Sequence, residues 1–79
     1  MSTFKGREAE RADLARIISQ HAAEAWTSGA DMARDLHISR QTAYDILAGR
    51  KLPTLPLAIR IGIALDLTLD ELVTPPEMA

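Results

Sequence analysis

Four hydroxyl side chains divide most of this chain into short segments, because each of them directly precedes a run of apolar residues at helical spacing. They are Ser28, Ser39, Thr54 and Thr68. A Ser or Thr in that place can accept a hydrogen bond from a backbone N–H of the first helical turn, which has no partner inside the helix. The pattern therefore predicts an all-α chain of short helices joined by tight turns, with no strand.

Five helices follow from the spacing of the apolar residues. The first is expected over residues 8–26, and the others over about 28–36, 40–48, 55–65 and 69–73. Gly49 and Asp66 come just after the third and fourth helices, at positions where a left-handed backbone commonly ends a helix. We expect one compact domain over residues 1–79, with an ordered core at about residues 8–73 and short flexible ends.

Composition narrows the class of protein further. A chain of 79 residues with 47% hydrophobic residues fits one small globular domain. It has no cysteine, which excludes disulfides and thiolate metal sites. His21 and His37 lack the spacing of a metal pair, so neither a metal nor another cofactor is expected. Since the sequence contains no signal-peptide pattern and no apolar stretch of membrane-spanning length, we expect a cytoplasmic protein without membrane contact.

The charge is acidic overall but unevenly placed. The formal net charge is −2, and residues 54–79 hold four acidic groups against one basic group, Arg60. Around the third predicted helix the balance reverses, with Arg40, Arg50 and Lys51 against Asp45 alone. A local positive field of this kind can attract phosphate groups even though the whole chain is acidic.

An ordered series of short motifs resembles the phage repressor and Cro-like family of helix-turn-helix proteins, also called XRE. In chain order the motifs are Met32-Ala33, Ile38-Ser39, Gly49, Pro53 and the ending "LDLTLDEL" at residues 65–72. They stand where that family typically has a Leu-Ala pair, a Val-Ser turn, a glycine and a proline after the third helix, and an ending of the "LGVSLDEL" type. The resemblance covers residues 14–73 and implies a five-helix, lambda-repressor-like domain that binds double-stranded DNA.

Two positions depart from the family pattern. His37 stands in the turn between the second and third helices, where the family usually has glycine, so we expect His37 to adopt a positive φ. Gly29 stands where family members often have a glutamine that binds a phosphate and supports the third helix, so this contact is expected to be absent. Backbone N–H groups at the start of the second helix could still meet a phosphate.

The resemblance also implies that the third helix, residues 40–48, would enter the major groove. Polar residues in and around this helix are then candidates for contacts with DNA. The candidates for base contacts are Arg40, Gln41 and Tyr44, the last at a thymine methyl group or at a phosphate. The candidates for phosphate contacts are Ser39, Thr42, Arg50, Lys51 and Arg34. On spacing alone, the same side chains are equally well explained as an ordinary solvent-facing surface.

The fourth predicted helix is apolar around most of its circumference, since only Pro56, Arg60 and Gly62 interrupt its apolar residues. The residues expected to face the core are Ala58, Ile61, Leu65 and part of Ile59. Those left for a homodimer interface, or for docking of a regulatory protein partner, are Leu57, Ile63, Leu67 and Leu69. Gly62 would allow the second chain to approach closely. The alternative is that the first helix covers this face within one molecule.

Two classes of function remain compatible with these features. The first is a sequence-specific DNA-binding transcriptional regulator, a small repressor or Cro-like protein that acts as a symmetric dimer. The second is a protein-interaction module, such as an antirepressor or an adaptor, that keeps the helix-turn-helix fold but binds little DNA. The acidic balance, Gly29 and the apolar fourth helix favour the second class. An enzyme is not expected, because the sequence lacks a glycine-rich phosphate loop and the contexts of known catalytic motifs.

Overall fold

The computed structural model describes the backbone of residues 3–78 and the side chains of residues 10–78. Its elements are α1 (Thr3–Ala25), α2 (Gly29–Leu36), α3 (Arg40–Leu47), α4 (Leu55–Leu65), α5 (Leu69–Leu72) and a 3-10 helix at Pro76–Met78. The described part of the chain contains no strand, so the predicted all-α, five-helix fold is confirmed. Helical structure extends further at both ends than the sequence indicated. The ends expected to be flexible are those outside about residues 8–73, and of these, residues 1, 2 and 79 lie outside the described residues.

Three of the four predicted N-caps form as expected. The hydroxyl oxygens of Ser28, Ser39 and Thr68 each accept a hydrogen bond from the backbone N–H three residues later, over 3.1–3.2 Å. Thr68 also takes part in a capping box, because the Glu71 carboxylate accepts from the Thr68 backbone N–H over 2.9 Å. The prediction for Thr54 is wrong, since its side chain makes no capping hydrogen bond. Proline in the first turn of α4 removes one of the N–H groups that a cap would satisfy.

Asp31 stands three residues after the Ser28 cap but does not complete a capping box with it. Its carboxylate accepts from the Thr27 hydroxyl over 2.9 Å and from the Arg34 guanidinium over 2.9 Å. An acidic group in the first turn of α2 still faces the positive end of that helix, so the placement is favourable.

Left-handed residues end α2, α3 and α4, as the sequence predicted. His37 has φ 56° and Asp66 has φ 58°, while Gly49 has φ 74°. The left-handed turn at His37 lets the Ile38 N–H reach the carbonyl oxygen of Ala33 over 3.1 Å, which closes the end of α2. Because the left-handed residues reverse the chain direction, the eight-residue helices α2 and α3 can pack against their neighbours.

A single aliphatic core lies between the helices. Its fully buried large side chains come from four different helices and are Met32, Ile46, Ile61 and Leu72. Trp26 is also buried, as expected, and its indole N–H donates to the Asp35 carboxylate over 2.9 Å. Tryptophan is therefore buried with its one polar atom satisfied.

His21 is a buried histidine, with only 4% of its surface exposed. Its Nε2 lies 2.6 Å from the carbonyl oxygen of Thr74, and since a carbonyl only accepts, Nε2 donates. This hydrogen bond joins α1 to the segment after α5, and the 3-10 helix packs on α1 next to it. The chain after Val73 therefore belongs to the packed fold.

The α4 face differs from the prediction in several residues. Ala58, Ile61 and Leu65 pack inward as expected, but Ile59 is exposed. Leu57 and Leu67, which the sequence left for an interface with another chain, pack partly against the core within one molecule. The Gly62 site is filled by the chain itself, because a Cβ there would lie 2.8 Å from the Leu67 carbonyl oxygen.

The first helix leaves part of α4 uncovered. Ile63 is 74% exposed, so the alternative in which α1 covers this residue is excluded. Elsewhere on α4, the Arg60 guanidinium donates to the carbonyl oxygen of Leu36 and so ties α4 to the end of α2. A carbonyl at a helix C-terminus lacks an intrahelical partner, and Arg60 supplies one.

The left-handed conformation of His37 predicts the effect of replacing it. His37→Gly is expected to raise the free energy of unfolding by about 0.4–1 kcal/mol, because the steric cost of a Cβ at positive φ exceeds the entropy that glycine costs in the unfolded chain. His37→Ala keeps the Cβ and is expected to lower stability, since histidine tolerates this region better than alanine. Urea or thermal melts of the three proteins measure the order. A glycine variant less stable than the parent would show that the imidazole makes a stabilising contact.

Candidate nucleic-acid interface

One face of α3 is buried and the opposite face is polar and exposed. Ala43 and Ile46 point into the core with no accessible surface, and they fix α3 against α1 and α2. Arg40, Gln41 and Tyr44 lie on the outward face, so the structure brings the three proposed base-contacting residues together. The buried pair thus determines which side chains α3 presents to solvent.

The start of α3 is closed by two hydroxyl groups that bond to each other. The Ser39 Oγ accepts from the Thr42 backbone N–H over 3.1 Å and donates to the Thr42 Oγ1 over 2.8 Å. Thr42 is half-buried, and its own O–H remains a donor. Both residues are therefore part of the N-cap, and each has limited capacity left for a further ligand.

Two of the candidate residues, Gln41 and Arg50, donate hydrogen bonds to one carboxylate oxygen of Asp45, and the three residues form the Asp45 cluster. The Gln41 Nε2 donates to the Asp45 Oδ1 over 3.0 Å, and the Arg50 Nη2 and Nε donate to the same oxygen over 2.9 and 3.3 Å. Arg50 reaches back because the left-handed Gly49 reverses the chain, and the Arg50 backbone N–H donates to the Asp45 carbonyl over 2.9 Å. This arrangement is the Schellman ending of α3.

Sequence reasoning counted Asp45 only as an opposing charge and missed its role as an acceptor. The Gln41–Asp45 half of the cluster was available from the sequence, since residues four apart on a helix are neighbours. The Arg50 half depends on the geometry of the turn at Gly49. A separation of five residues does not by itself place two side chains in contact.

Arg50 also lowers the pKa of Asp45. The hydrogen bond from the Arg50 guanidinium, followed by that from the Gln41 amide, holds the pKa of Asp45 below its ordinary value of 3.8. Asp45 is therefore ionised at neutral pH and offsets the charge of Arg50 at close range.

The other basic candidate residues differ in whether an acidic side chain forms an ion pair with them. Arg34 forms an ion pair with Asp31 over 2.9 Å. Within the side chains of residues 10–78, Arg40 and Lys51 have no acidic group within ion-pairing distance. Arg40 at the start of α3 and Lys51 after it therefore retain unneutralised charge at the two ends of this helix.

Gly29 lies beneath the aromatic ring of Tyr44. It is the first residue of α2, and it is buried although it has no side chain. A Cβ built at Gly29 would lie 2.6–2.8 Å from three ring carbons of Tyr44, closer than atoms in contact can approach. Tyr44 of α3 thus covers position 29, where family members often have a glutamine.

A comparison with protein families identifies the chain. The family model described as helix-turn-helix, HTH_3, matches residues 26–72, from the end of α1 through α5. The chain belongs to this family of Cro/repressor-like (XRE) helix-turn-helix proteins, as its motifs predicted. Members of the family are DNA-binding regulators of transcription and are not typically enzymes. No significant match was found among curated proteins or among solved structures.

The described residues contain no group of three or more His, Asp or Glu side chains arranged to hold a metal ion. Among them, no helix combines the length and the apolar character needed to cross a lipid bilayer.

The lowered pKa of Asp45 predicts how the stability of the protein depends on pH. The folded-state pKa of Asp45 lies below the ordinary 3.8, so the stabilisation from the cluster is complete above that pH and is lost as the pH falls through the lower folded value. A carboxyl-carbon NMR titration should place the midpoint of Asp45 below 3.8 in the parent. Arg50→Ala should move it upward, whereas Arg34→Ala, which removes a different ion pair, should leave it in place. An unshifted midpoint in Arg50→Ala would contradict the cluster.

Proposed function

We propose that this protein is a sequence-specific transcriptional regulator, a small repressor or Cro-like protein, that inserts α3 into the major groove as a symmetric dimer. The observation that carries the proposal is the outward face of α3, where Arg40 and Gln41 are exposed at the N-terminal end. In helix-turn-helix proteins the N-terminal residues of the second helix of the motif meet the base edges. Here α2 and α3 are the two helices of that motif.

The chemistry of Arg40 and Gln41 suits base contacts. No described side chain pairs with the Arg40 guanidinium, which can bond in bidentate fashion to guanine. The Gln41 amide is oriented by Asp45, because a carboxylate accepts only and the Nε2 must face it. Its Oε1 and second N–H are left for a ligand, and this acceptor-donor pair matches the N6 and N7 edge of adenine.

The phosphate contacts are proposed for Lys51, Arg50, Arg34, Ser39 and Thr42. Lys51 has no competing acidic partner among the described side chains, so it should contribute most to affinity. Arg50 and Arg34 must share their donors between a phosphate and an aspartate that already holds them. Contacts of this kind position a protein on the duplex without reading its sequence.

The dimer is proposed to form through an apolar stripe on α4. Leu55, Ile59 and Ile63 recur every four residues and are all exposed, with Leu69 of α5 exposed as well. Leu57 and Leu67 would support the stripe from the core side, since both are only partly buried. A twofold contact uses one patch twice, and it would set two copies of α3 for half-sites roughly 34 Å apart.

A protein-interaction module remains the second candidate. The Asp45 cluster favours it, because one carboxylate holds Gln41 and offsets the charge of Arg50 on the very face that would meet DNA. The apolar stripe on α4 would then receive a different protein, such as another regulator.

Selection of bound duplexes from a random pool separates the two candidates. A DNA-binding regulator should enrich a two-half-site motif, and its affinity should fall steeply as salt rises, because bound cations release counterions from the phosphates. An interaction module should enrich no sequence and show no specific, salt-sensitive complex. If the selection enriches no motif and the protein also shows no salt-sensitive binding, the DNA-binding function is rejected.

Base contact by Arg40 and Gln41 predicts a loss of discrimination. Arg40→Ala or Gln41→Ala should relax the preference at one base pair in each half-site, at a cost of about 1–3 kcal/mol of discrimination. Binding to a panel of single-base operator variants measures the effect. Arg11→Ala removes the same charge from α1 instead of α3 and serves as the control for Arg40. If both α3 variants retain the parent's affinity and base profile, the assignment is wrong.

Dimerisation through the α4 stripe predicts a monomer when the stripe is charged. Ile63→Glu should yield a folded monomer with weakened operator binding, because two carboxylates would meet across the twofold axis and a largely exposed isoleucine contributes little to the monomer core. Ala64→Glu is the matched control, since Ala64 is also exposed but its side chain points about 100° away around the helix. Sedimentation, a thermal melt and an operator titration distinguish the outcomes. Equal mass and equal binding in both variants would exclude this interface.

A further inference from the structure

The contact between Gly29 and Tyr44 joins the aromatic residue of α3 to the start of α2. Gly29 opens α2, and Tyr44 lies one turn into α3, so the contact bridges the two helices of the motif. The ring carbons Cγ, Cδ1 and Cε1 of Tyr44 occupy the space that a Cβ at Gly29 would need. Tyr44 is nevertheless 48% exposed, which leaves one side of the ring accessible to a ligand.

The direction of the ring matters for what Tyr44 can touch. Because the ring lies against Gly29 in the first turn of α2, the Tyr44 side chain extends toward α2. The first helix of a helix-turn-helix crosses the sugar-phosphate backbone, whereas the second enters the groove. Within the described residues the Tyr44 hydroxyl has no hydrogen-bond partner, so it remains free to donate.

We propose that Gly29 is a positioning residue that holds the Tyr44 ring on α2, where the phenol donates a hydrogen bond to a DNA phosphate and not to a base. The inference rests on the proposed DNA-binding function and specifies the role of one residue within it. It assigns Tyr44 to affinity and leaves base discrimination to Arg40 and Gln41. Any side chain at position 29 would displace the ring from α2.

The chemistry of a phenol gives this contact a distinctive signature. A neutral hydroxyl that bonds to a phosphate does not replace a condensed counterion, so removing it should leave the salt dependence of binding unchanged. Tyr44→Phe should therefore weaken binding by about 2- to 10-fold, the range of one neutral hydrogen bond. The loss should be equal on the operator and on its single-base variants.

A double-mutant cycle tests the positioning role of Gly29. The proteins are the parent, Gly29→Ala, Tyr44→Ala and the double variant, each examined by thermal melt and by operator titration. Gly29→Ala should lower the melting temperature and the affinity, because its Cβ meets the ring. In the Tyr44→Ala background the same change should raise the melting temperature, since alanine favours a helix more than glycine does once the ring is gone.

The outcomes separate this inference from the function on which it rests. Tyr44→Phe with a relaxed preference at one base pair would overturn the phosphate contact and make Tyr44 a base reader. A Gly29→Ala effect that is the same with and without the Tyr44 ring would overturn the positioning role. A parent that binds no DNA overturns the proposed function and the phosphate contact together, whereas the melts of the four proteins decide the Gly29–Tyr44 contact by themselves.

Discussion

The burial of one face of α3 is the constraint on which the rest of the structure depends. Ala43 and Ile46 are fully enclosed, so α3 has only one orientation in which its polar residues reach solvent. A helix of eight residues is too short to be stable in isolation, and this packing is what makes it a helix at all. The same contacts therefore stabilise α3 and select the side chains that it presents. Altering the inner face would disturb the proposed DNA-contacting face without touching any of its residues.

Local chemistry explains why so much of the fold was predictable. The caps at Ser28, Ser39 and Thr68 and the left-handed residues at His37 and Asp66 each depend on atoms within a few residues of one another. Thr54 shows the limit, because Pro56 changes the first turn of α4 and the cap bond does not form. The family match over residues 26–72 follows the same ordered series of local signals.

The features that were missed depend on contacts between elements or on the geometry of a turn. The Tyr44 ring meets Gly29 only because α2 and α3 pack closely, and Arg50 reaches Asp45 only because Gly49 turns the chain back. Hydrophobicity alone also misjudged α4, since it cannot tell which of Leu57 and Ile59 faces the core. The direction of each side chain around the helix axis is decided by where α4 docks. That docking is set partly by the Arg60 bond to Leu36, which joins residues 24 positions apart.

Asp45 gives the proposed interface a balance between affinity and selectivity. In the proposed complex, a carboxylate on the outward face of α3 would repel phosphates and lower the binding of any DNA, specific or not. The Asp45 carboxylate also holds the Gln41 amide in one orientation, so less conformational entropy would be lost if Gln41 meets a base. A matched duplex would gain from this orientation, whereas a mismatched duplex would meet the repulsion without the gain. An acidic residue among the basic ones is therefore compatible with a DNA-contacting surface, and the net charge of −2 is a weak argument against this function.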